Sequence, residues 1–237
     1  MQTWPFPSGP RQSGTPLSSP RLALAALLSF ALAACSSGPV TAPAPTRTAA
    51  TGNWSPAPAY GQCMADLGAK EANFKPLPDQ YFGAGCSTIQ TVRLLSMRGD
   101  YSALGVTNLG PVTCQLADAF ASWARYGVDR AARQILGSQL VRIETMGSYN
   151  CRNVAGTDHR SGHATGSAID VSGFVLADGR RITVLGDWSA GTPEEREFLR
   201  VIHTSACKRF GMVLGPDYNA DHRNHFHVEA VNSHFCR

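Results

Sequence analysis

The chain has 237 residues, of which 43% are apolar; this content suffices for a hydrophobic core and excludes a chain that is disordered throughout. The formal charge is +4, but residues 1–34 hold two of the 21 basic residues and none of the acidic ones, so the remainder is nearly neutral. The sequence contains no basic run and no patch of interleaved basic and aromatic residues, so nucleic acid is excluded as a partner.

The N-terminal segment is typical of an export signal. The apolar run Leu22–Ala34 is interrupted only by Ser29 and is too short to span a bilayer as a permanent helix. Arg11 and Arg21 precede this run and small residues end it, so a secretory signal peptide is predicted over residues 1–34.

The run ends in LAAC, which resembles the lipobox of bacterial lipoproteins. In those proteins the signal is removed before the cysteine and the sulfur carries a diacylglycerol, so the resemblance implies lipidation of Cys35. Each buried acyl methylene contributes about 0.8 kcal/mol, and several chains would hold the protein at a membrane. The prediction is thus a membrane-anchored lipoprotein facing the periplasm or cell envelope. The alternative is an ordinary cleaved signal with a chance cysteine.

Residues 35–59 begin with that cysteine and are otherwise rich in Ser, Gly, Pro, Thr and Ala, with Arg47 alone charged, which predicts a tether. No internal repeat is present in the sequence, so one folded domain is predicted over residues 60–237.

Six cysteines lie in this domain, and none forms a C-x-x-C pair, which argues against a thiolate zinc module or a thioredoxin-like redox site. An even number in an exported chain predicts three disulfides. Sequence alone does not fix the pairing; Cys63 with Cys86 is predicted only because they are neighbours along the chain. The six are Cys63, Cys86, Cys114, Cys151, Cys207 and Cys236.

The first half of the domain shows both helix and strand patterns. Residues 63–70 favour a short helix and the β-branched run 87–97 favours a strand. Residues 140–145 alternate, which predicts a half-buried strand with Val141 and Ile143 on one face.

Between these strands, apolar residues recur at helical spacing. They predict a helix from about Pro111 that Gly127 closes. Asp129 is then predicted to cap a second helix that runs through Leu136.

The second half has clearer signals. Apolar alternating runs flank Asp178-Gly179, which predicts a β-hairpin. Residues 192–195 supply the N-cap, the first-turn proline and the reciprocal glutamate of a capping box, so a helix is predicted to start there and end at Gly211. Short strands MVL and HFHVEA follow, and the whole pattern predicts an α+β fold.

The last strand pattern brings two imidazoles together. Its period of two sends His225, His227 and Glu229 to one face. His163 and Asp170 lie in SGHATGSAID, whose small residues let the backbone fold closely and bring the two side chains to one point.

Zinc catalytic sites commonly use three protein ligands drawn from His, Asp and Glu and keep a fourth position for water. His163, Asp170 and one of the strand histidines supply such a set. A metal there would lower the pKa of its bound water toward ~7 and polarise a scissile carbonyl, and His225 or His222 could be the base.

Four stretches of the domain carry a resemblance to a known family: GSYNCR, SGHATGSAIDVSGFVLADGRRITVL, VLGPDYNADHRNHFHVE and FCR. From about Cys63 to its end, the chain resembles the bacterial extensin-like C-terminal domain proteins. That family is similar in turn to the zinc peptidase superfamily of D-alanyl-D-alanine carboxypeptidases and sonic hedgehog, whose motif S-x-H-x-x-G-x-A-x-D is matched at Ser161, His163, Gly166, Ala168 and Asp170. The resemblance implies a small antiparallel sheet with flanking helices, stabilised by disulfides.

The resemblance also implies roles for particular residues. One mononuclear Zn²⁺ would be bound by His163, Asp170 and His227, with His225 acting in catalysis. Many carboxypeptidases place a glutamate base where this chain has Asn224, but the H-x-x-H-x-H spacing of residues 222–227 resembles the penicillin-insensitive murein endopeptidases, which lack that glutamate. On this likeness His222 assists His225.

The stretch GSYNCR is similar to the superfamily's S-G-Y-R stretch, which implies that Arg152 anchors a substrate carboxylate, a task that suits its forked donors. Ser161 is expected to contact substrate as well. The implied substrate is peptidoglycan or its peptides. Alternatives remain for each residue: Arg152 as a surface side chain, His222 as a solvated loop histidine, and the three ligands as a polar cluster without metal.

Three functions therefore remain open. The leading one is zinc-dependent hydrolysis of an amide bond in peptidoglycan peptides. A non-catalytic zinc-containing module for cell-wall binding or scaffolding is the second, and a structural domain without metal is the third.

Overall fold

The structure is a computed structural model that describes residues 58–237. The predicted signal peptide, Cys35 and nearly all of the predicted tether lie outside the described residues. Within the described range, no helix combines the length and apolar character needed to cross a membrane.

The strands of the described domain are β1 (Asn73–Pro76), β2 (Gln80–Gly83), β3 (Cys86–Thr88), β4 (Thr91–Arg98), β5 (Ala103–Thr107), β6 (Val112–Thr113), β7 (Leu140–Gly147), β8 (Ala168–Leu176), β9 (Arg181–Thr183), β10 (Met212–Leu214), β11 (Phe226–Glu229) and β12 (Phe235–Cys236). Ten of them form a mixed sheet at the centre of this domain, in the order β1-β4-β5-β7-β8-β11-β10-β12, with β6 beside β4 and β9 beside β8. Strands β2 and β3 form a separate hairpin.

This sheet corrects the expected small antiparallel one, although the α+β class is confirmed. Strands β5 and β7 pair in parallel, as do β10 and β12. The chain between β5 and β7 passes through helices, and a crossover of this kind is what parallel neighbours require.

Within residues 58–237, five α-helices flank the sheet: α1 (Pro58–Ala69), α2 (Cys114–Trp123), α3 (Arg130–Ile135), α4 (Val184–Ala190) and α5 (Pro193–Cys207). A π-helical segment, Ala124–Asp129, joins α2 to α3. Helix α4 was not predicted.

The predicted break at Gly127 is wrong, because helical structure continues through it to Ile135. A Cβ at Gly127 would lie 2.5 Å from the hydroxyl of Ser205 on α5, so this glycine permits close helix packing. Asp129 is not a helix cap either. Its carboxylate accepts hydrogen bonds from the backbone N–H groups of Asp100 and Leu140.

The core lies between one face of the sheet and helices α2 and α5. Trp123 meets Phe174 and Phe210 edge to face, and Phe174 meets Phe198 in the same way. Each fully buried ring of this kind stabilises the fold by about 1.5–3 kcal/mol.

The predicted hairpin at Asp178-Gly179 joins β8 to β9, and the capping box at Thr192 and Glu195 begins α5. Two details differ from the predictions. Helix α5 ends at Cys207 rather than Gly211, and Val141 is exposed while Ile143 is buried. The pairing with β8 shifts register between residues 140 and 142, and this irregularity breaks the expected alternation.

The described domain contains three disulfides, as predicted: Cys63–Cys114, Cys86–Cys151 and Cys207–Cys236. The predicted pairing of Cys63 with Cys86 is wrong, because α1 packs against α2 and places Cys63 beside Cys114. Three disulfides in one domain are typical of an extracellular or periplasmic compartment.

Candidate metal centre

A short 3₁₀ turn, Gly162–Thr165, positions His163. The hydroxyl of Ser161 accepts a hydrogen bond from the backbone N–H of His163 at 3.3 Å and so caps the turn. Gly166 ends the turn with a φ of 66°, which a residue with a side chain rarely adopts. Within this motif the serine and the glycine therefore shape the backbone that presents the histidine.

Strand pairing positions the other two proposed ligands. His227 on β11 lies directly opposite Asp170 on β8, and opposite residues of an antiparallel pair project to the same face. Phe226 and Val228 project to the other face, where both are fully buried. Alternate residues of this strand thus project to opposite faces, as the period of two in the sequence predicted.

Three buried side chains converge at this point. Asp170 Oδ2 lies 3.1 Å from His163 Nε2, and Asp170 Oδ1 lies 2.8 Å from His227 Nδ1. The two ring nitrogens are 3.2 Å apart. His163, Asp170 and His227 each contribute one ligand atom to a group within 4.8 Å that could hold a metal ion.

In His163 and His227, the ring nitrogen that points toward the other two ligands is the inner nitrogen, and the one that points away from them is the outer nitrogen. Each outer nitrogen faces a hydrogen-bond acceptor. His163 Nδ1 lies 2.9 Å from the carbonyl oxygen of Ser148, and His227 Nε2 lies 2.7 Å from Glu229 Oε1. Because these oxygens accept, each outer nitrogen carries the proton, and each inner nitrogen can offer its lone pair to a cation. Outer partners of this kind orient the imidazole ligands of metal sites. The donor set therefore fits a divalent ion such as zinc.

The hydrogen bonds of this site shift the pKa values of Asp170 and His227. Burial opposes ionisation of Asp170, but hydrogen bonds with His163 and His227 outweigh it and hold the pKa of the carboxyl well below its usual range. Burial also opposes protonation of His227, yet its hydrogen bonds with Asp170 and Glu229 raise its pKa to about 9. A proton on Nδ1 therefore competes with a cation for this position.

His225 and His222 lie beside the three ligands. His225 Nε2 is 3.4 Å from Asp170 Oδ1, while its Nδ1 lies 2.8 Å from Asn224 Oδ1. His222 Nδ1 lies 2.7 Å from Asn219 Oδ1. Burial lowers the pKa of both histidines, to about 4 for His222, where the charges of His225 and His227 add to the effect.

His222, His225 and His227 form a second group that could hold a cation. A third geometric group of possible metal ligands, His203 with Cys207 and Cys236, is not a thiolate site because the two sulfurs form a disulfide.

The site opens into a cleft of about 470 Å³, whose lining includes His225, His227, Arg152 and Ser161. Arg152 is exposed, directly follows the Cys86–Cys151 disulfide, and donates to the carbonyl oxygen of Asn153 at 3.4 Å. Five of the seven predicted site residues of the described domain line this cleft, and the other two, His163 and Asp170, contact His227 at its wall. The remaining predicted residue, Cys35, lies outside the described residues.

Sequence reasoning missed several supporting groups. Glu229 was placed on the histidine face by the period of two but was given no role, although it accepts from His227; Asn219 orients His222 from a loop. The carbonyl of Ser148 gave no signal, because every residue has one. Gly162 lies so close to Glu229 that a Cβ would fall 2.5 Å from Oε1, a contact that only the folded chain reveals.

Residues 61–237 match the model of the protein family described as Extensin-like protein C-terminus. No curated protein and no solved structure matches the chain.

Proposed function

The chain belongs to the extensin-like C-terminal family, and on that premise we propose that it is a zinc-dependent hydrolase of an amide bond in peptidoglycan peptides. A lipid on Cys35 would anchor it to the membrane, with the domain facing the periplasm or cell envelope. The disulfides support export, and the peptidoglycan substrate is supported by the family resemblance together with that compartment.

One observation carries the proposal: Asp170 and the inner nitrogens of His163 and His227 meet within 3.2 Å of one another while the outer nitrogens are hydrogen-bonded. Two imidazoles and one carboxylate are a common ligand set of catalytic zinc. When bound, zinc supplies an electrophile that polarises the scissile carbonyl and activates water.

The chain's own groups handle the proton and the substrate. His225 directs Nε2 toward the ligands because Asn224 holds its Nδ1, so this nitrogen can take a proton from the attacking water or stabilise the developing oxyanion. His222 packs against the ring of His225 at 5.1 Å between centroids. Arg152 has forked donors for a substrate carboxylate, and Ser161 offers a hydroxyl at the cleft wall.

Residue 224 is where many carboxypeptidases of the proposed superfamily carry a glutamate base. The amide of Asn224 cannot act as a base, but its oxygen holds His225 in place. This arrangement supports the murein-endopeptidase-like variant, in which histidines replace the glutamate.

Asn224 also favours a second candidate, a zinc-containing module that binds or scaffolds the cell wall without catalysis. Variant His225→Ala separates the two. If the protein is a hydrolase, mass spectrometry of peptidoglycan incubated with the zinc-loaded wild-type chain should find new amine and carboxylate termini, and the variant should lose them while keeping its zinc.

Zinc content without new termini would support the binding module instead. Protein that takes up no zinc, as measured by plasma mass spectrometry after dialysis against the ion, would refute both candidates and leave a structural domain.

A further inference from the structure

One face of the sheet points away from the core and carries the candidate metal centre. On β8 the residues on either side of Asp170 are buried in the core, so Asp170 projects to this outer face. On β4, Val92 and Leu94 are buried in the same core, so Arg93 between them projects to the outer face as well. Because β4 is three strands from β8 and neighbouring strands lie about 4.8 Å apart, the two strands are separated by roughly 15 Å.

A groove of about 540 Å³ lies on this outer face, and its lining includes Arg93, Asn108, Met146, Ser148 and Tyr149. The carbonyl oxygen of Ser148 accepts the hydrogen bond that orients His163. Met146 also lines a second cleft, of about 300 Å³, together with Asn224, the residue that holds His225. The groove therefore leads to the candidate reaction centre.

An aromatic pair stands at the edge of this groove. The rings of Phe82 and Tyr149 lie 5.4 Å apart between centroids at an interplanar angle of 42°, and Phe82 is 52% exposed. Phe82 belongs to the β2–β3 hairpin, which the Cys86–Cys151 disulfide joins to the segment after Tyr149. Arg160 donates to the carbonyl oxygen of Ala84 in the turn of this hairpin at 2.6 Å. The exposed ring is therefore held in position by the fold.

Polar groups face the same groove. Within residues 58–237 the guanidinium group of Arg93 has no hydrogen-bond or ion-pair partner, and this side chain is exposed. The side-chain nitrogen of Asn108 donates to the carbonyl oxygen of Thr145 at 3.3 Å, which leaves its oxygen as an acceptor. A pyranose ring matches such a lining, because its C–H face is apolar while its edge carries hydroxyl and acetamido groups. An acyl chain would cover the rings but leave these donors and acceptors unused.

We propose that this groove binds a glycan of N-acetylated amino sugars, with one pyranose ring against Phe82 and Tyr149 and its polar groups bonded to Arg93 and Asn108. The inference rests on the proposed function, since peptidoglycan joins a glycan of this kind to the peptides that would be hydrolysed. It adds a second contact on the same polymer, on a strand roughly 15 Å from Asp170. About four or five extended peptide residues span that distance.

The test is an NMR titration of the purified protein with the N-acetylglucosamine tetrasaccharide. The sugar should bind and shift the backbone amide signals of residues 82, 93, 108 and 149 more than those of the histidines at the metal centre. The tripeptide L-Ala-γ-D-Glu-L-Lys is the second probe and should leave the groove signals unchanged. No binding of the sugar, shifts confined to other surfaces, or occupation of the groove by the acidic peptide alone would overturn the inference.

Two variants measure the contacts. Phe82→Ala should weaken sugar binding roughly tenfold, as expected when about 50 Å² of apolar surface is no longer covered. Arg93→Ala should weaken it roughly threefold to tenfold through lost hydrogen bonds. Tyr101→Ala is the matched control, because Tyr101 is 71% exposed, packs against Arg133 on α3 and lies outside the groove lining. An unchanged affinity in both groove variants, with the melting temperature also unchanged, would likewise overturn the inference.

A comparison of binding with cleavage separates the glycan groove from the proposed hydrolase. His225→Ala should bind the tetrasaccharide as tightly as the wild type, because His225 lies outside the groove lining. Sugar binding by a wild-type chain that releases no new termini from peptidoglycan would refute the hydrolase and retain the groove. Cleavage of peptidoglycan by a chain that does not bind the sugar would refute the groove alone.

Discussion

Glu229 supports the candidate metal centre without being one of its three proposed ligands. It accepts a hydrogen bond from His227 Nε2 at 2.7 Å, which turns Nδ1 toward Asp170 at 2.8 Å. Loss of an outer partner of this kind typically lowers metal affinity roughly 10–100-fold. Variant Glu229→Ala should therefore weaken zinc binding by about that factor while all three ligands remain.

Gly162 offers an independent way to disturb the same hydrogen bond. A Cβ at this position would lie 2.5 Å from Glu229 Oε1 and 2.7 Å from Glu229 Cδ. Variant Gly162→Ala therefore forces the carboxylate to shift away from His227. Because both changes act on one bond, the double variant should bind zinc about as weakly as Glu229→Ala alone.

Competition with a chromophoric zinc chelator at fixed pH measures these affinities. Glu197→Ala is the matched control, since Glu197 is an exposed carboxylate on α5 and should leave the affinity unchanged. An unaltered affinity in Glu229→Ala, or effects that add fully in the double variant, would refute the assigned role of this bond.

Three further predictions concern the scaffold. Gly166→Ala should destabilise the turn that presents His163, because alanine is strained at a φ of 66°, and the free energy of unfolding should fall by about 1–2 kcal/mol in urea titrations. Replacing both cysteines of the Cys207–Cys236 disulfide, which spans 29 residues, by alanine should lower the free energy of unfolding by about 3–4 kcal/mol in the same assay. A decrease of less than about 1 kcal/mol would contradict the idea that this disulfide constrains the unfolded chain. In the folded state, hydrogen bonds from Arg130 and Arg125 hold the pKa of Asp100 well below its usual value. The charge of Asp100 therefore stabilises the fold fully at pH values above the pKa that this residue has in the unfolded chain, near 4. This contribution is lost as the pH falls below that value toward the folded pKa. The melting temperature of Asp100→Asn should accordingly be lower than that of the wild type at pH 7 and approach it at pH 2, and an equal difference at both pH values would contradict this cause.

Local signals predicted the elements that local interactions control. The Asp178-Gly179 turn and the capping box at Thr192 depend on residues a few positions apart, and both are present in the fold. Gly127 and Asp129 were misread because their roles depend on distant partners. Gly127 accommodates Ser205 of another helix, and Asp129 bonds the backbone of two other segments.

The candidate site divides in the same way. Residue types and spacing were enough to select His163, Asp170 and one of the strand histidines, since a period of two and a turn of small residues are local properties. The choice of His227 among those histidines came from the family resemblance. The acceptor that fixes the tautomer of His163 is a backbone carbonyl, at Ser148, which no sequence pattern distinguishes. The residues of β10 that lie opposite β11, and those of β12 that lie opposite β10, depend on the register of the folded sheet.

By itself, therefore, the sequence determined the class of fold and the number of disulfides, and it predicted His163, Asp170 and one of the strand histidines as metal ligands. Only the tertiary structure decided the parallel strand pairs, the partners of the six cysteines and the outer hydrogen bonds of the histidines. The physical reason is the distance along the chain between the interacting residues. Turns and strand faces depend on residues a few positions apart. The parallel strand pairs, the disulfide partners and the outer hydrogen bonds depend on segments that are distant in sequence and are brought together when a common core is buried.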